Sequence, residues 1–355
     1  MKRVKSLLKF GCRRTFFGLQ CAIKNRRFAR APRRILVVRH WEKPHDNSIV
    51  LDWAQERFPE LRSLFELRLL PCRVRDWSRF ILHVPWLRDP VQRWSEVAYA
   101  QANRLAAECD ARQIPIINRV DRLANAGKSA AARLMASAGL RTPKMLPIDN
   151  PDEFRESALG MKFPLIVRED WGHGRLMMRV DEPAELRKLP LESFARPIVA
   201  EYIDVRTEED GLYRKYRYVA AGDEGITLSM HISKNWITKG KNCEFNDRLR
   251  DEEAAYIDGS DTNHELLQRG RKALGLDFLA FDYGYDRSGQ MIVWEANPMP
   301  LLHFQEGRRL YRDPATERTL TAMLKLYLER AGLPVPPQIQ ELISREGQRL
   351  CVESA

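Results

Sequence analysis

The stretch FLAFDYGYDRSGQMIVWEANPMP, residues 278 to 300, constrains the fold more than any other part of the chain. Two apolar runs of strand length flank a polar Asp-Arg-Ser-Gly-Gln segment, which predicts a β-hairpin. Successive strand side chains point to opposite faces, so Ala280, Asp282 and Gly284 share one face while Phe281, Tyr283 and Tyr285 take the other. On the return strand Met291, Val293 and Glu295 share a face, and Ile292 and Trp294 point away. A two-residue turn at Ser288-Gly289 sets Asp282 directly opposite Glu295, whereas a turn at Arg287-Ser288 makes them diagonal neighbours. Both registers put two carboxylates on one face, roughly 5 to 8 Å apart at Cβ.

Two carboxylates facing each other repel unless they share a cation, and hard oxygen donors suit Mg²⁺, which keeps waters and phosphate oxygens as its other ligands. Asn297 adds a neutral oxygen. Pro298 and Pro300 fix the backbone immediately afterwards, where a purely solvent-facing loop needs no fixing. Asp282, Glu295 and Asn297 are therefore the expected ligands of a divalent metal.

Upstream, RILVV at 34 to 38, RFILHV at 79 to 84 and IPII at 114 to 117 predict three buried strands. Between them lie a helix from Ile49 to Phe58 and a longer one in DPVQRWSEVAYAQANRLAAECD, with Asp89 as its cap and Pro90 at its first position. Such alternation predicts a small parallel α/β domain. KSAAARLMASAG is a helix with Gly139 as its stop signal. From Pro164 onward strands predominate: PLIV, RLMMRV, PIVAEYI, LYRKYRYVA and ITLSMHIS, then a helix in NHELLQRGRKALG before the hairpin. Helices in TERTLTAMLKLYLERAG and after PVPPQ close an antiparallel α+β body.

On the LYRKYRYVA strand, alternation puts Tyr213, Lys215 and Arg217 on one face, so two cations converge where phosphate oxygens bind strongly. Gly172 and Gly174 around His173 permit close backbone approach to phosphate. In MHISKNW, His231, Ser233 and Asn235 alternate onto one face, a lining for the phosphate or substrate side. AGKS at 126 to 129 has the end of a phosphate-binding P-loop, but that pattern needs a glycine where this chain has Arg122, and a strand feeding the loop directly.

In this order the motifs resemble the ATP-grasp superfamily, with an ATP-binding domain of the glutathione synthetase type. FDYGYDRSGQMIVWEANPMP is similar to that superfamily's C-terminal metal motif, and NAGKSAAARLMASAGLRTPK to its lysine-bearing helix and the step into the lid. FPLIVREDWGHGRLMMRV resembles the strand, glycine-rich flap and strand over the triphosphate. PIVAEYI resembles the hinge strand that meets adenine, and YRKYRYVAAGD the strand that aims an arginine at the γ-phosphate. The resemblance covers about residues 120 to 305. It implies a basic extension at 1–33, a pre-ATP-grasp α/β domain at 34–120, a lid region at 121–206, a C-terminal core at 207–332 and a C-terminal helix at 333–355.

The resemblance further implies binding of ATP with Mg²⁺ or Mn²⁺. Lys128, Arg168, Gly172, His173, Gly174, Glu201, Tyr202, Ile203 and Arg217 would line the nucleotide, and Lys215, Arg217 and His231 would serve catalysis. Arg168 stands where the lid strand ordinarily carries a lysine, which keeps the charge but changes its geometry. The acid that binds ribose is open among Asp204, Glu208, Glu209 and Asp210. The implied reaction is that of a carboxylate–amine ligase, which activates a carboxylate as an acyl phosphate for attack by an amine or another nucleophile. Its substrates would be small-molecule or peptide carboxylates and amines, with Arg39, His40 and Lys43 as candidate contacts for the carboxylate. The alternative is a non-catalytic ATP-binding accessory protein.

The formal charge of +11 is local. Twelve of the 59 Lys and Arg residues lie in residues 1 to 34, where there is no Asp or Glu, so the remaining 47 face all 48 acidic residues. A body without basic excess disfavours nucleic acid as a partner. The tail interleaves cations with Val4, Leu7, Leu8, Phe10, Phe16, Phe17 and Leu19, a composition suited to an anionic membrane or another phosphate-rich surface. No apolar run approaches the length that spans a bilayer. Six scattered cysteines with no short spacing point to reduced thiols in a cytoplasmic protein, with peripheral membrane contact expected of the tail alone.

Overall fold

The computed structural model describes residues 15–26, 28, 31–40, 48–171 and 176–344. Residues 1–14 of the basic extension, Lys43, and the glycine flap with Gly172, His173 and Gly174 lie outside the described residues. The chain divides into two compact units, one of residues 1–122 with 299–355, the other of residues 123–298.

The first unit opens with a helix over residues 15–26 (α1) and continues through β1 (Arg34–His40), α2 (Ser48–Arg57), β2 (Phe65–Leu70), β3 (Phe80–Trp86), α3 (Val91–Trp94) and α4 (Glu96–Asp110). Its three strands form a parallel sheet in the order β2-β1-β3. All seven residues of β1 are buried, as expected of a central parallel strand covered on both faces. Arg39 and His40, read from the sequence as carboxylate contacts, end this strand and are themselves buried.

One strand is unanticipated and two local expectations are corrected here. Phe65–Leu70 is a strand the sequence hides, because its Glu66 is a buried charge; the carboxylate accepts from Arg34 at 2.7 Å and Arg79 at 2.6 Å. IPII forms only an isolated parallel bridge, His83 to Ile116, rather than a third full strand. Asp89 does not cap the long helix. Ser95 does, its Oγ accepting from Ala98 N at 3.1 Å, which splits the predicted helix into α3 and α4.

The second unit carries α5 (Lys128–Ser137), β4 (Met145–Pro147), α6 (Pro151–Ser157), β5 (Leu165–Glu169), β6 (Met177–Val180) and β7 (Pro197–Glu201). Then follow β8 (Tyr213–Ala221), β9 (Glu224–Ser233), α7 (Asp247–Asp258), α8 (His264–Leu274), β10 (Phe278–Tyr285) and β11 (Met291–Asn297). Two antiparallel sheets result, β4-β7-β5-β6 and β11-β10-β8-β9. Gly139, with φ of +88°, follows α5 in the left-handed region that stops a helix cheaply. From Met299 the chain belongs again to the first unit, where α9 (Asp313–Arg330) packs against α2 and α10 (Pro337–Ile343) packs against α9.

The hairpin follows neither two-residue turn. Residues 287 to 289 form a three-residue loop, with Asp286 N donating to Gln290 O at 3.0 Å and Gly289 at φ +78°. Pairing runs Tyr285 to Met291, Gly284 to Ile292 and Tyr283 to Val293, then shifts so that Asp282 stands opposite Glu295. Trp294 is the extra residue of this bulge, and Val293 N turns to Arg141 O at 3.0 Å.

Candidate active site

Strand β5 divides its side chains by alternation. Leu165 and Val167 join a core with Phe154, Val180 and Val199, whereas Ile166 and Arg168 line a cleft within the second unit. In the other sheet, Tyr213 and Lys215 of β8 line the same cleft, and Arg217 continues their face two residues on. The bulge on β11 turns Glu295 and Trp294 toward this side too. The expectation that Glu295 shares a face with Met291 and Val293, and that Trp294 points away, is therefore corrected by one inserted residue.

Trp294 lies over Gly284, where a Cβ would meet the ring at 2.4 Å and Arg214 O at 2.9 Å. Only a glycine admits the indole there. Met145, Ile166, Met177, Ala200, Ile203 and Trp294 supply apolar lining, and Arg168, Lys215, Asp282 and Glu295 supply charge, so one cleft offers both an apolar slot and an ionic cluster.

Four cations and two carboxylates make up that cluster. Arg217 and Asp282 are cross-strand neighbours, with Arg217 Nε donating to Oδ1 at 2.7 Å and Nη2 to Oδ2 at 2.9 Å. Lys215 donates to Oδ2 at 2.9 Å. Lys128, at the first turn of α5 and almost fully buried, pairs with Glu295 Oε1 at 3.1 Å. Arg168 acts on Glu295 through its field, and its Nε is buried with no hydrogen-bond partner among the described residues. The formal excess is two positive charges in a site largely shielded from water.

Protonation follows from this arrangement. Burial pushes the Asp282 carboxyl up, but Arg217 and Lys215 outweigh it and hold the group well below the usual carboxylate range. Glu295 is likewise held low, with Lys128 opposing burial. Burial pulls Lys128 and Arg168 down, against the pull of Glu295, and the Asp282 charge raises Arg217.

The cationic side is braced from the end of β5. Buried Asp170, just past β5, accepts from Ser129 N at 2.8 Å and Ser129 Oγ at 2.6 Å, capping the start of α5 from outside. The sequence reading missed Asp170. Its signal is a helix that begins at Gly127, a residue with no side chain to cap its own amides.

The remaining expected residues distribute as follows. His231 is the β9 partner of Lys215 and so borders the cluster. Ser233 and Asn235 do not line it: Ser233 Oγ donates to Asn242 O at 2.6 Å, and Asn235 Oδ1 accepts from Ile237 N at 2.8 Å. They shape a loop whose Trp236 and Ile237 reach the cleft. Glu201, Tyr202 and Ile203 form its rim. Glu201 binds Lys144 through its backbone at 2.9 Å and its carboxylate at 3.3 Å, while Tyr202 Oη lies 2.9 Å from Tyr213 Oη beneath the Arg179 guanidinium. Among the ribose candidates, Asp204 is held by Arg206 and Arg287 and Asp210 by Arg214 and Arg248; Glu208 and Glu209 lie between them.

The residues fit a magnesium nucleotide by the chemistry of their donors. The cationic excess and the unsatisfied Arg168 Nε suit a polyphosphate. No group of three His, Cys, Asp or Glu side chains gathers among the described residues. Two carboxylates and the amide of Asn297 on adjoining strands are nonetheless an all-oxygen set, short of a full shell, as befits an ion completed by phosphate and water.

No family model matches the sequence, and no curated protein does at a significant level. Solved structures do match. The macrocyclase MdnC of Microcystis aeruginosa, bound with its precursor peptide MdnA, superposes with a TM-score of 0.53 at 12% identity over 83% of this chain and 99% of that one. A RimK-domain ATP-grasp protein of Sphaerobacter thermophilus gives 0.51 at 13% identity over 83% and 99%. The fold is ATP-grasp. An L-amino acid ligase of Bacillus licheniformis shares it, with a TM-score of 0.51 at 13% identity over 86% of this chain and 76% of that one. In ATP-grasp terms, the parallel sheet with its helices and the two antiparallel sheets make up the α/β plus α+β architecture anticipated from the sequence.

Proposed function

We propose that this protein is an ATP-dependent ligase that transfers the γ-phosphoryl group of ATP to a carboxylate and then lets an amine or another nucleophile displace phosphate from the acyl phosphate. In the first step a carboxylate oxygen bonds to phosphorus and ADP leaves. In the second the nucleophile bonds to the acyl carbon, loses its proton and expels inorganic phosphate. The observation that carries the reading is the excess-cationic cluster of Lys128, Arg168, Lys215 and Arg217 around Asp282 and Glu295, set in a cleft with apolar walls.

Each residue has a task in this reading. Ile166, Met177, Ala200 and Trp294 enclose the adenine, with Glu201, Tyr202 and Ile203 at its edge. Lys128 and Arg168 hold phosphate oxygens from the lid side, and Lys215 and Arg217 meet the charge that moves with the γ-phosphoryl group, where most catalysis of phosphoryl transfer lies. His231, beside Lys215, orients that pair. Asp282, Glu295 and Asn297 would hold Mg²⁺, which would supply neutralisation of phosphate charge. The L-amino acid ligase and the peptide-bound macrocyclase that share the fold favour amino acids and peptides as the substrate class.

The test is ADP release by the purified protein against a panel of amino-acid and peptide carboxylates with amines, read with mass detection of the product. Release that needs both substrates, and that falls by about a hundredfold or more in Arg217→Met, supports the ligase. Magnesium nucleotide binding with no turnover across the panel replaces it with the accessory-protein reading.

A further inference from the structure

We infer that α1 is a docking element for an anionic phospholipid surface. Phe16, Leu19 and Ile23 stand at i, i+3 and i+7 and are 57%, 59% and 63% exposed, a continuous apolar stripe on one side of the helix. Arg26, seven residues beyond Leu19, continues that side as a cation.

The opposite side is fixed to the sheet. Asn25 pairs with edge strand β2 as another strand would, its Nδ2 donating to Leu67 O at 2.7 Å and its Oδ1 accepting from Leu67 N at 3.2 Å. Lys24 reaches Asp52 at 3.5 Å. The helix is held at two points with its apolar stripe turned outward, instead of rolling that stripe onto the body.

Charge selects the occupant. Residues 1 to 34 carry twelve Lys and Arg and no Asp or Glu, so an apolar stripe flanked by acid-free basic chain suits an interface of acyl chains beneath anionic headgroups. Among the described residues no helix is long and apolar enough to cross a membrane.

The full chain is tested by co-sedimentation with vesicles of phosphatidylcholine alone and of phosphatidylcholine with phosphatidylglycerol at about three to one. The protein partitions to the anionic vesicles, less so as salt rises from about 0.1 M to 0.5 M. Combined Phe16→Ser, Leu19→Ser and Ile23→Ser weakens partition by about tenfold or more. The single Ile23→Asp, read with its melting temperature, gives the same direction without emptying the stripe. Absence of binding to anionic vesicles overturns the inference. So does equal binding by the parent and the triple variant, or a parent dimer that the triple variant abolishes, which would make a second copy the occupant. Nucleotide binding is read on the same samples and stays unchanged in every α1 variant.

Discussion

Arg217 and Asp282 face each other on neighbouring strands, and the guanidinium grips both carboxylate oxygens, at 2.7 and 2.9 Å. With Lys215 on the same carboxylate, Asp282 restrains two cations that would otherwise repel each other and the nearby Lys128 and Arg168. A buried pair of this kind adds little net stability when complete but costs much when one partner is removed.

Asp282→Asn therefore lowers stability by about 2 to 4 kcal/mol, because four cations then face a single carboxylate. Polyphosphate restores part of the loss by supplying the missing negative charge. Thermal melts with and without tripolyphosphate check this, and the rise in melting temperature is larger for the variant than for the parent.

Gly284→Ala drives a methyl group into the Trp294 ring and the Arg214 carbonyl. The ring has to leave its place over β10, so the variant loses about 1 to 3 kcal/mol and its nucleotide affinity drops about tenfold or more. Denaturant unfolding and nucleotide titration of the same preparation separate the two effects.

His83 is buried on β3, its Nδ1 donating to Leu36 O at 3.1 Å, and burial pushes its pKa down to about 4. The unfolded chain takes up a proton near pH 6.5 while the folded chain stays neutral. Stability is thus fully present above about pH 6.5 and is lost as pH falls toward 4, by about 1.4 kcal/mol per unit at the steepest. His40, also held low by burial, acts in the same direction. Urea unfolding at pH 5 and pH 7.5 measures the difference, and His83→Leu reduces it.

Asp170→Ala frees the Ser129 amide and hydroxyl together, at a cost of about 1 to 2 kcal/mol by analogy with the loss of a helix cap. Since Ser129 follows Lys128, nucleotide affinity declines as well. Asp170→Asn, which retains one acceptor, falls between parent and Ala in both measurements.

Much of the site is legible in the sequence because it rests on alternation. Lys215 and Arg217 land on one face of β8 as alternation requires, whereas Asp282 stands opposite Glu295 through a three-residue loop offset by the bulge, not through either predicted turn. The bulge at Trp294 is not legible, since a single inserted residue leaves no mark on composition yet changes which side chains meet the cleft. Helix α7 escapes for another reason: DRLRDEEAAYID looks solvated, but Glu253 is buried and accepts from Met230 N at 2.9 Å, a partner far away in sequence. Phe65–Leu70 hides in the same way behind Glu66. Buried charges satisfied by tertiary partners defeat a pattern of apolar and polar residues, and the ion pairs of the cleft itself belong to that class.

The most direct measurement is isothermal titration of the full chain with ATP in the presence of magnesium, repeated with Glu295→Gln and Arg217→Met. Saturable uptake of one nucleotide per chain, weakened about tenfold or more by each substitution, is the predicted result. Absence of binding by the parent, or binding that both substitutions leave untouched, would contradict a nucleotide site built on this cluster.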